Sequence, residues 1–359
     1  MSRLNVEFSG LKLMNPVMPA AGPPVKDGEA AIAAAQGGAG AIVTKTISDK
    51  PAPVPKQCMA EIKGGFLNTE LWSELSPEQW LEREYPRVKE AGLPVIVGLG
   101  YTAEQINYLA QKVAPFADAL ELSTHYLGDD PSPVVAAVKA AKAAVDLPVY
   151  VKLSPQIDLK LFGTAAQEAG ADGLVLINSL GPCLDIDLET GKPLMGSKTG
   201  YGWLSGRAIF PVALRAVYEA YKHVDIPILG VGGISSGEDA VKMIMAGAQA
   251  VQICTAAILQ GPGIYGKIAR QLEKWLDDHG YESLEEIHGL AHKHQREEDL
   301  QQWLPVVDAE KCTACGACAR SCVYHAIEIQ DYAIIDEERC FGCGLCITRC
   351  KFDAISPKA

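Results

Sequence analysis

The placement of cysteine in this chain restricts what it can fold around. Cys312-x2-Cys315-x2-Cys318-x3-Cys322 is followed, after 17 intervening residues, by Cys340-x2-Cys343-x2-Cys346-x3-Cys350. Three thiolates on one turn reach three irons of a cubane, and the fourth cysteine of such a run reaches across to a neighbouring cluster. The spacing predicts two [4Fe–4S] clusters. One is held by Cys312, Cys315, Cys318 and Cys350, the other by Cys340, Cys343, Cys346 and Cys322. Gly316 and Gly344 follow the second cysteine of each run, where backbone must approach a cluster closely. A pair of structural zinc sites is the alternative, since zinc also uses Cys-x2-Cys pairs. It leaves the third Cys-x2 step and the x3 fourth cysteine unexplained, twice over.

Three of the 11 cysteines, Cys58, Cys183 and Cys254, lie elsewhere. The N-terminus, Met-Ser-Arg-Leu-Asn-Val-Glu, lacks the apolar stretch of a signal peptide, and no run of about 18 apolar residues exists for a membrane span. A cytoplasmic location is expected, where clustered cysteines serve as metal ligands rather than disulfides. The formal charge of −12 excludes the basic footprint needed for nucleic acid, and no Lys/Arg cluster suggests an anionic membrane surface.

Upstream of the cysteines the pattern is different. Eight short apolar runs alternate with alanine-rich stretches of helical spacing: Pro16–Ala20, Ala41–Lys45, Pro94–Leu99, Ala119–Leu122, Pro148–Leu153, Gly173–Asn178, Pro227–Val231 and Ala250–Cys254. Val134–Val145 and Ala208–Tyr221 are two of the helical stretches. Continuous apolar strands joined by helices indicate a parallel sheet buried on both faces, and eight such repeats in roughly 265 residues is the size of a (β/α)8 barrel. An open doubly wound sheet would carry a glycine fingerprint after its first strand, which Ala20-Ala21-Gly22-Pro23-Pro24 is not. Val6–Leu13 alternates around Ser9-Gly10 and is expected as a hairpin closing the barrel floor. Long inserts, Ser48–Ser76 and Ser179–Arg207, leave the C-terminal ends of strands, where barrel active sites are built, and read as functional lids. The expected organisation is a barrel over 1–280, a solvated helical linker over 281–305 and a small α+β two-cluster domain over 306–359.

Two lysines end barrel strands, Lys45 and Lys152. Each alone could form an internal ion pair. Together at one rim they favour an anionic ligand such as a reduced flavin, whose N1–C2=O edge carries negative charge. Gly232-Gly233 after the seventh run and Cys254-Thr255-Ala256 after the eighth stand where barrels bind phosphate, with the helix after Ser236 expected to point its N-terminus there.

These motifs carry two resemblances. The C-terminal segment resembles the bacterial two-cluster ferredoxin fold, with Val323 and Lys351 in place of the proline that usually follows each fourth cysteine. The barrel resembles the FMN-dependent dihydroorotate dehydrogenase superfamily through Gly10–Pro16, Thr44-Lys45-Thr46, Gly65–Glu70, Ala119–Leu122, Lys152–Pro155, Asn178-Ser179, Leu204–Ile209, Gly232-Gly233-Ile234 and Cys254-Thr255-Ala256. The order of barrel, linker and double cluster is similar to the FMN subunit of bacterial dihydropyrimidine dehydrogenase. That resemblance implies FMN against Ala20, Ala21, Lys45, Thr46, Lys152 and Asn178, with Ser205, Gly206, Gly232, Gly233, Cys254 and Thr255 completing its site. Asn68, Glu70, Ser123, Asn178 and Ser179 would face the substrate.

One departure bears on the substrate. The family ends its fourth strand in Asn-x-Ser-x-Pro and follows it with a catalytic Cys or Ser on a mobile loop. Here the stretch is Glu121-Leu122-Ser123-Thr124-His125-Tyr126-Leu127-Gly128, with Ser123 for the asparagine and no cysteine. Hydride transfer to one carbon of a polarised C=C leaves the other needing a proton. His125 and Tyr126 are the candidate acids, with Lys152 beside them. Cys183 is a weaker one, and Cys58 is taken as a lid residue without chemistry. The expected activity is an FMN and iron–sulfur oxidoreductase on a CH–CH or C=C bond next to a carbonyl. A dihydropyrimidine dehydrogenase-like enzyme stands first. A dihydroorotate dehydrogenase-like enzyme, or a reductase of non-pyrimidine enoates or amides, is the alternative. An electron-transfer subunit with a non-catalytic barrel is a further reading. Electrons would pass between the clusters and an NAD(P)H-oxidising flavoprotein subunit or a ferredoxin, and a homo-oligomer is expected.

Overall fold

A computed structural model describes residues 3–294 and 303–357. It divides into two units, Met1–His294 and Gln295–Ala359.

The first unit is the eight-fold repeat. Its strands are β1 (Val17–Pro19), β2 (Ile42–Val43), β3 (Val95–Leu99), β4 (Ala119–Ser123), β5 (Val149–Leu153), β6 (Gly173–Leu176), β7 (Ile228–Val231) and β8 (Ala250–Ile253). They pair in parallel in the order β1-β8-β7-β6-β5-β4-β3-β2. Each strand therefore lies beside its sequence neighbour, and β8 returns to β1. At the remaining seam the Gly40 N–H donates to the Val17 carbonyl at 2.8 Å. A Cβ at Gly40 would sit 2.1 Å from the Asn15 carbonyl oxygen, so glycine is what lets this seam approach closure. Helices follow the strands, among them Ser132–Ala144 and Phe210–Tyr221, each near its expected bounds.

The hairpin forms as expected, Val6–Phe8 against Leu11–Leu13, with Ser9 and Gly10 both at positive φ, as a two-residue hairpin turn of matching twist requires. Phe8, Leu11 and Leu13 plug one end of the barrel against Met18, Val43, Ile96 and Tyr150. The other end holds the site. The two inserts do more than cover it. They pair with each other as one antiparallel sheet, in the order Leu180–Cys183, Gly202–Ser205, Gly65–Asn68, Met59–Ile62.

Residues 281–294, expected as the start of a solvated linker, pack on the barrel instead. Leu284 and Ile287 are buried in its core. The His288 and His292 rings bond the carbonyls of Gly247 and Ala246, both at 3.0 Å. Part of the expected linker, 295–302, lies outside the described residues.

The second unit repeats itself at an offset of 28 residues (312 to 340). Helix Ala317–Ser321 corresponds to Leu345–Arg349, and positive φ recurs at Ala314 and Gly342, Gly316 and Gly344, His325 and Asp353. Among the described residues its buried core cluster is Cys318, Ala333, Cys346 and Ile355. So small an apolar core does not stabilise a unit of this size without a further staple, and half of it is cysteine.

Candidate active site and cluster sites

A cavity of about 700 Å³ opens at the C-terminal ends of the barrel strands. Strand ends bring Ala20, Ala21, Thr46, Ser123, His125, Lys152, Asn178, Ser179, Gly232, Gly233, Cys254 and Thr255 to its wall, and the inserts add Asn68, Glu70, Ser205 and Gly206. Of the residues singled out from the sequence for FMN, substrate or proton transfer, Lys45, Tyr126 and the weaker candidate Cys183 are the three that do not line it, and neither does Cys58.

One end of the cavity is a glycine cradle. Gly206, Gly232 and Gly233 have φ of +77°, +129° and +74°. A Cβ on Gly233 would lie 2.7 Å from the Gly206 carbonyl oxygen, so these two loops meet backbone to backbone. Ser205 and Thr255 hydroxyls bond at 2.8 Å, and Arg207 donates to Ser235 Oγ at 3.0 Å. The helix after Ser236 does not present a free N-terminus here. Asp239 accepts the N–H groups of Ser235 and Ser236 at 2.9 and 3.1 Å, and Gln271 accepts that of Gly237. A capping carboxylate repels a phosphate, so the cradle's donors are the glycine loops and its cations Arg207 and Lys267.

The two strand-end lysines are both ion-paired. Lys45 is 2% exposed, its Nζ 2.9 Å from Glu70 and 2.7 Å from Glu74. These insert carboxylates stand around its ammonium, and Lys45 itself is not among the residues lining the cavity. Lys152 does reach the wall, with Glu121 behind it at 3.3 Å. Two lysines at one rim therefore do not amount to two free positive charges.

The opposite wall is amide, hydroxyl and aromatic. Asn178 Nδ2 donates to Ser123 Oγ at 3.5 Å, and its Oδ1 accepts the Ser179 N–H at 2.8 Å. Trp203 stands directly across from Asn68 in the insert sheet. His125, held at φ +53°, meets the Trp203 ring edge-on with centroids 4.7 Å apart. Burial and the Lys152 charge lower the His125 pKa from its usual 6.5, so the imidazole is neutral at neutral pH. Tyr126 turns the other way and packs toward Phe162, with centroids 6.0 Å apart. Burial pushes the Cys254 thiol up to about 11, leaving it protonated and unreactive at neutral pH. Sequence reading missed Trp72 and Tyr101, whose rings meet at 5.0 Å on the wall, and the buried pair Glu121 and Gln252.

In the second unit Cys312, Cys315, Cys318 and Cys350 line one small cavity with Ile329, Phe352 and Ile355. The crossing-over of the last cysteine to the first three is thus present in the fold. The repeat places Cys322 correspondingly: Ala326 N–H donates to Cys322 Sγ and Ala354 N–H to Cys350 Sγ, both at 3.4 Å. No three His, Cys, Asp or Glu side chains among the described residues converge on one point. Cubane ligands stand on separate irons and need no such convergence.

Residues 3–276 match the family model described as dihydroorotate dehydrogenase. The chain belongs to that family. Residues 311–354 match a 4Fe-4S dicluster domain. Similar proteins include "Dihydroorotate dehydrogenase B (NAD(+)), catalytic subunit" of Methanothermobacter thermautotrophicus, 37% identical over 302 residues. That match covers 80% of this chain and 98% of the relative. The proteins of the same name from Methanosarcina mazei (38% over 308 residues; 81% and 96%) and Pyrococcus abyssi (37% over 302; 81% and 99%) are alike in this. About four-fifths of the chain accounts for almost the whole of each relative.

The chain is accordingly an oxidoreductase of the dihydroorotate dehydrogenase family, acting on a CH–CH bond, with FMN and two [4Fe–4S] clusters as its cofactors. The cavity fits a flavin mononucleotide: glycine loops at positive φ, packed so closely behind that a Cβ at Gly232 or Gly233 would clash, and on the lining a buried amide oxygen, Gln252 Oε1, with no hydrogen-bond partner among the described residues. The relatives' names favour a dihydroorotate dehydrogenase over the dihydropyrimidine dehydrogenase placed first from the sequence. No helix among the described residues is long and apolar enough to cross a membrane.

Proposed function

We propose that the chain is a dihydroorotate dehydrogenase-type catalytic subunit carrying its own electron relay, and that it acts on a flat cyclic amide. FMN supplies hydride acceptance or donation at the substrate carbon. Gly206, Gly232, Gly233, Arg207 and Thr255 would hold its phosphate, and Lys152 and Gln252 its ring. Asn68, Asn178 and Ser179 orient the substrate amide, and Trp203 limits its plane. His125 moves the proton in place of the family's Cys or Ser. It is the one group on this wall with an ordinary pKa near neutrality, and it is held neutral, ready to accept. That placement of His125 is the observation carrying the reading. Electrons leave through the two cysteine sets to a separate protein, an NAD(P)H-oxidising flavoprotein subunit or a ferredoxin. The relatives' names, a catalytic subunit of an NAD(+) enzyme, support such a partner.

A second reading, uracil or thymine and their 5,6-dihydro forms, is favoured by one observation. The lining cations are Lys152, paired with Glu121, and Arg207 and Lys267, bonded to Ser235 and Gln260. Lys152 is ion-paired, and Arg207 and Lys267 are taken as the cradle's cations, so no further lining cation is left to meet a substrate carboxylate, which suits an uncharged ring. Anaerobic mixing with dihydroorotate, dihydrouracil and dihydrothymine, followed by flavin absorbance near about 450 nm, separates the readings. Bleaching by dihydroorotate alone supports the first, and bleaching by the dihydropyrimidines alone supports the second. No response to any of them, or to the oxidised forms after reduction, refutes both and leaves an electron-transfer subunit.

A further inference from the structure

Three polar side chains join across the inside of the barrel. Glu121 on β4 is fully buried. Its Oε1 lies 3.3 Å from Lys152 Nζ on β5, and its Oε2 lies 2.6 Å from Gln252 Nε2 on β8. An ionised carboxylate only accepts hydrogen bonds, so Gln252 must turn its NH2 toward Glu121; the flipped amide would set oxygen against oxygen. Gln252 Oε1 is thereby forced away from Glu121. Among the described residues it has no hydrogen-bond partner, and the residue is 1% exposed. A buried amide oxygen left unpaired is costly, so this one calls for a donor from outside the protein. Gln252 and Lys152 both line the cavity, while Glu121 stands behind them. The wall therefore offers one acceptor and one cationic donor, with both heads anchored on the two oxygens of a single carboxylate.

With Lys152 against the N1–C2=O edge of the flavin, as the family resemblance already implies, we propose that Gln252 Oε1 accepts from the flavin N3–H and that Glu121 is the positioning residue that orients both side chains. Glu121 has a second effect. A lysine alone stabilises the negative charge that a reduced flavin carries along N1–C2=O. A carboxylate behind the lysine offsets part of that field, so Glu121 holds the flavin potential down. The inference rests on the cofactor and not on either substrate reading.

The test uses the whole chain, stripped of flavin and reconstituted, with binding followed by fluorescence quenching. N3-methyl-FMN, which lacks the N3–H donor, should bind wild type roughly tenfold more weakly than FMN. In Gln252→Ala the two flavins should bind within about threefold of each other, because the acceptor is gone and space is opened. Equal binding to wild type, or a preference that survives Gln252→Ala, overturns the assignment. Glu121→Gln should raise the FMN midpoint by at least the equivalent of a tenfold change in the reduced-to-oxidised ratio, about 30 mV for a two-electron couple, with both cluster potentials unchanged. An unshifted midpoint removes Glu121 from the role. Should that variant fail to fold, Glu121→Asp takes its place in the potential measurement, and the N3-methyl comparison on wild type still decides the Gln252 contact.

Discussion

Gly233→Ala tests the phosphate cradle, and its cost can be worked from the structure. Gly233 sits at φ +74°, where an L-residue costs about 1–2 kcal/mol. Its new Cβ would lie 2.7 Å from the Gly206 carbonyl oxygen and 2.8 Å from both the Cβ and the N of Phe210. Two of those three atoms are backbone and cannot rotate aside, so overpacking adds about 1–3 kcal/mol. The combined strain is about 2–5 kcal/mol, and it is relieved by parting the Gly206 and Gly233 loops, which opens the cradle. If the bound state carries all of it, FMN affinity falls by roughly 30-fold to several thousand-fold. The assay is the FMN-to-protein ratio after desalting, with iron and sulfide counted on the same sample. Gly280→Ala is the control: Gly280 also has positive φ, +75°, but no atom lies within 4 Å of its Cβ direction. It should lose about 1 kcal/mol of stability and no FMN. A Gly233→Ala protein that keeps full FMN and melts with Gly280→Ala would refute the cradle.

Other expectations follow from the two sites. Cys350→Ser should alter the same cluster as Cys312→Ser in electron paramagnetic resonance, and Cys322→Ser the same one as Cys340→Ser; if Cys350→Ser instead pairs with Cys340→Ser, the crossing-over is wrong. His125→Gln should slow flavin reduction by the dihydro-substrate by about 10²–10⁴-fold with FMN content unchanged, and a loss under tenfold would remove His125 as the proton acceptor. In wild type that rate should hold as pH falls to about 6.5 and drop only below it, because burial and Lys152 lower the pKa of His125. Stability has the same sign. Burial also lowers the His288 pKa, so below about 6.5 the unfolded chain binds protons that the folded one refuses, and stability is lost as pH falls. Thermal melts at pH 7.5 and 5.5 should show a smaller drop for His288→Gln than for wild type, and an equal drop would discount that histidine.

The barrel was legible because its strands are buried on both faces and so read as unbroken apolar runs; all eight lie where those runs lie. The insert sheet was not legible. Its strands are four residues long, and Phe66 pairs with Ser205, far along the chain, so no local pattern announces the partner. Residues 281–294 were misread because Glu282, Glu285, Glu286 and His288 dominate the composition. The three apolar residues Leu284, Ile287 and Leu290, spaced by three, form the one stripe that packs. At the cavity, sixteen of the nineteen residues tied to FMN, substrate or proton transfer fell on one wall or another. Cys183, the weaker proton-transfer candidate, did not, and Lys45 and Tyr126 did not for different reasons. Lys45 is hidden by Glu70 and Glu74, whose positions depend on how the insert folds. Tyr126 packs toward Phe162 instead of the cavity.

The missed pair, Glu121 and Gln252, had a signal that motif reading passes over. In Ala119-Leu120-Glu121-Leu122-Ser123 a carboxylate stands mid-strand, and in Ala250-Val251-Gln252-Ile253 an amide does. A half-buried strand could turn such a residue to water. A strand buried along its whole length cannot, and all five residues of β4 and all four of β8 are buried. Once the apolar runs imply that burial, each polar residue inside them must have an internal partner or a ligand. Glu121 has two protein partners, one for each oxygen. Gln252 has one for its nitrogen and none for its oxygen. Among the described residues two buried polar atoms inside the barrel strands lack a partner, Tyr150 OH and Gln252 Oε1, and of the two residues it is Gln252 that lines the cavity where the fold already calls for a cofactor.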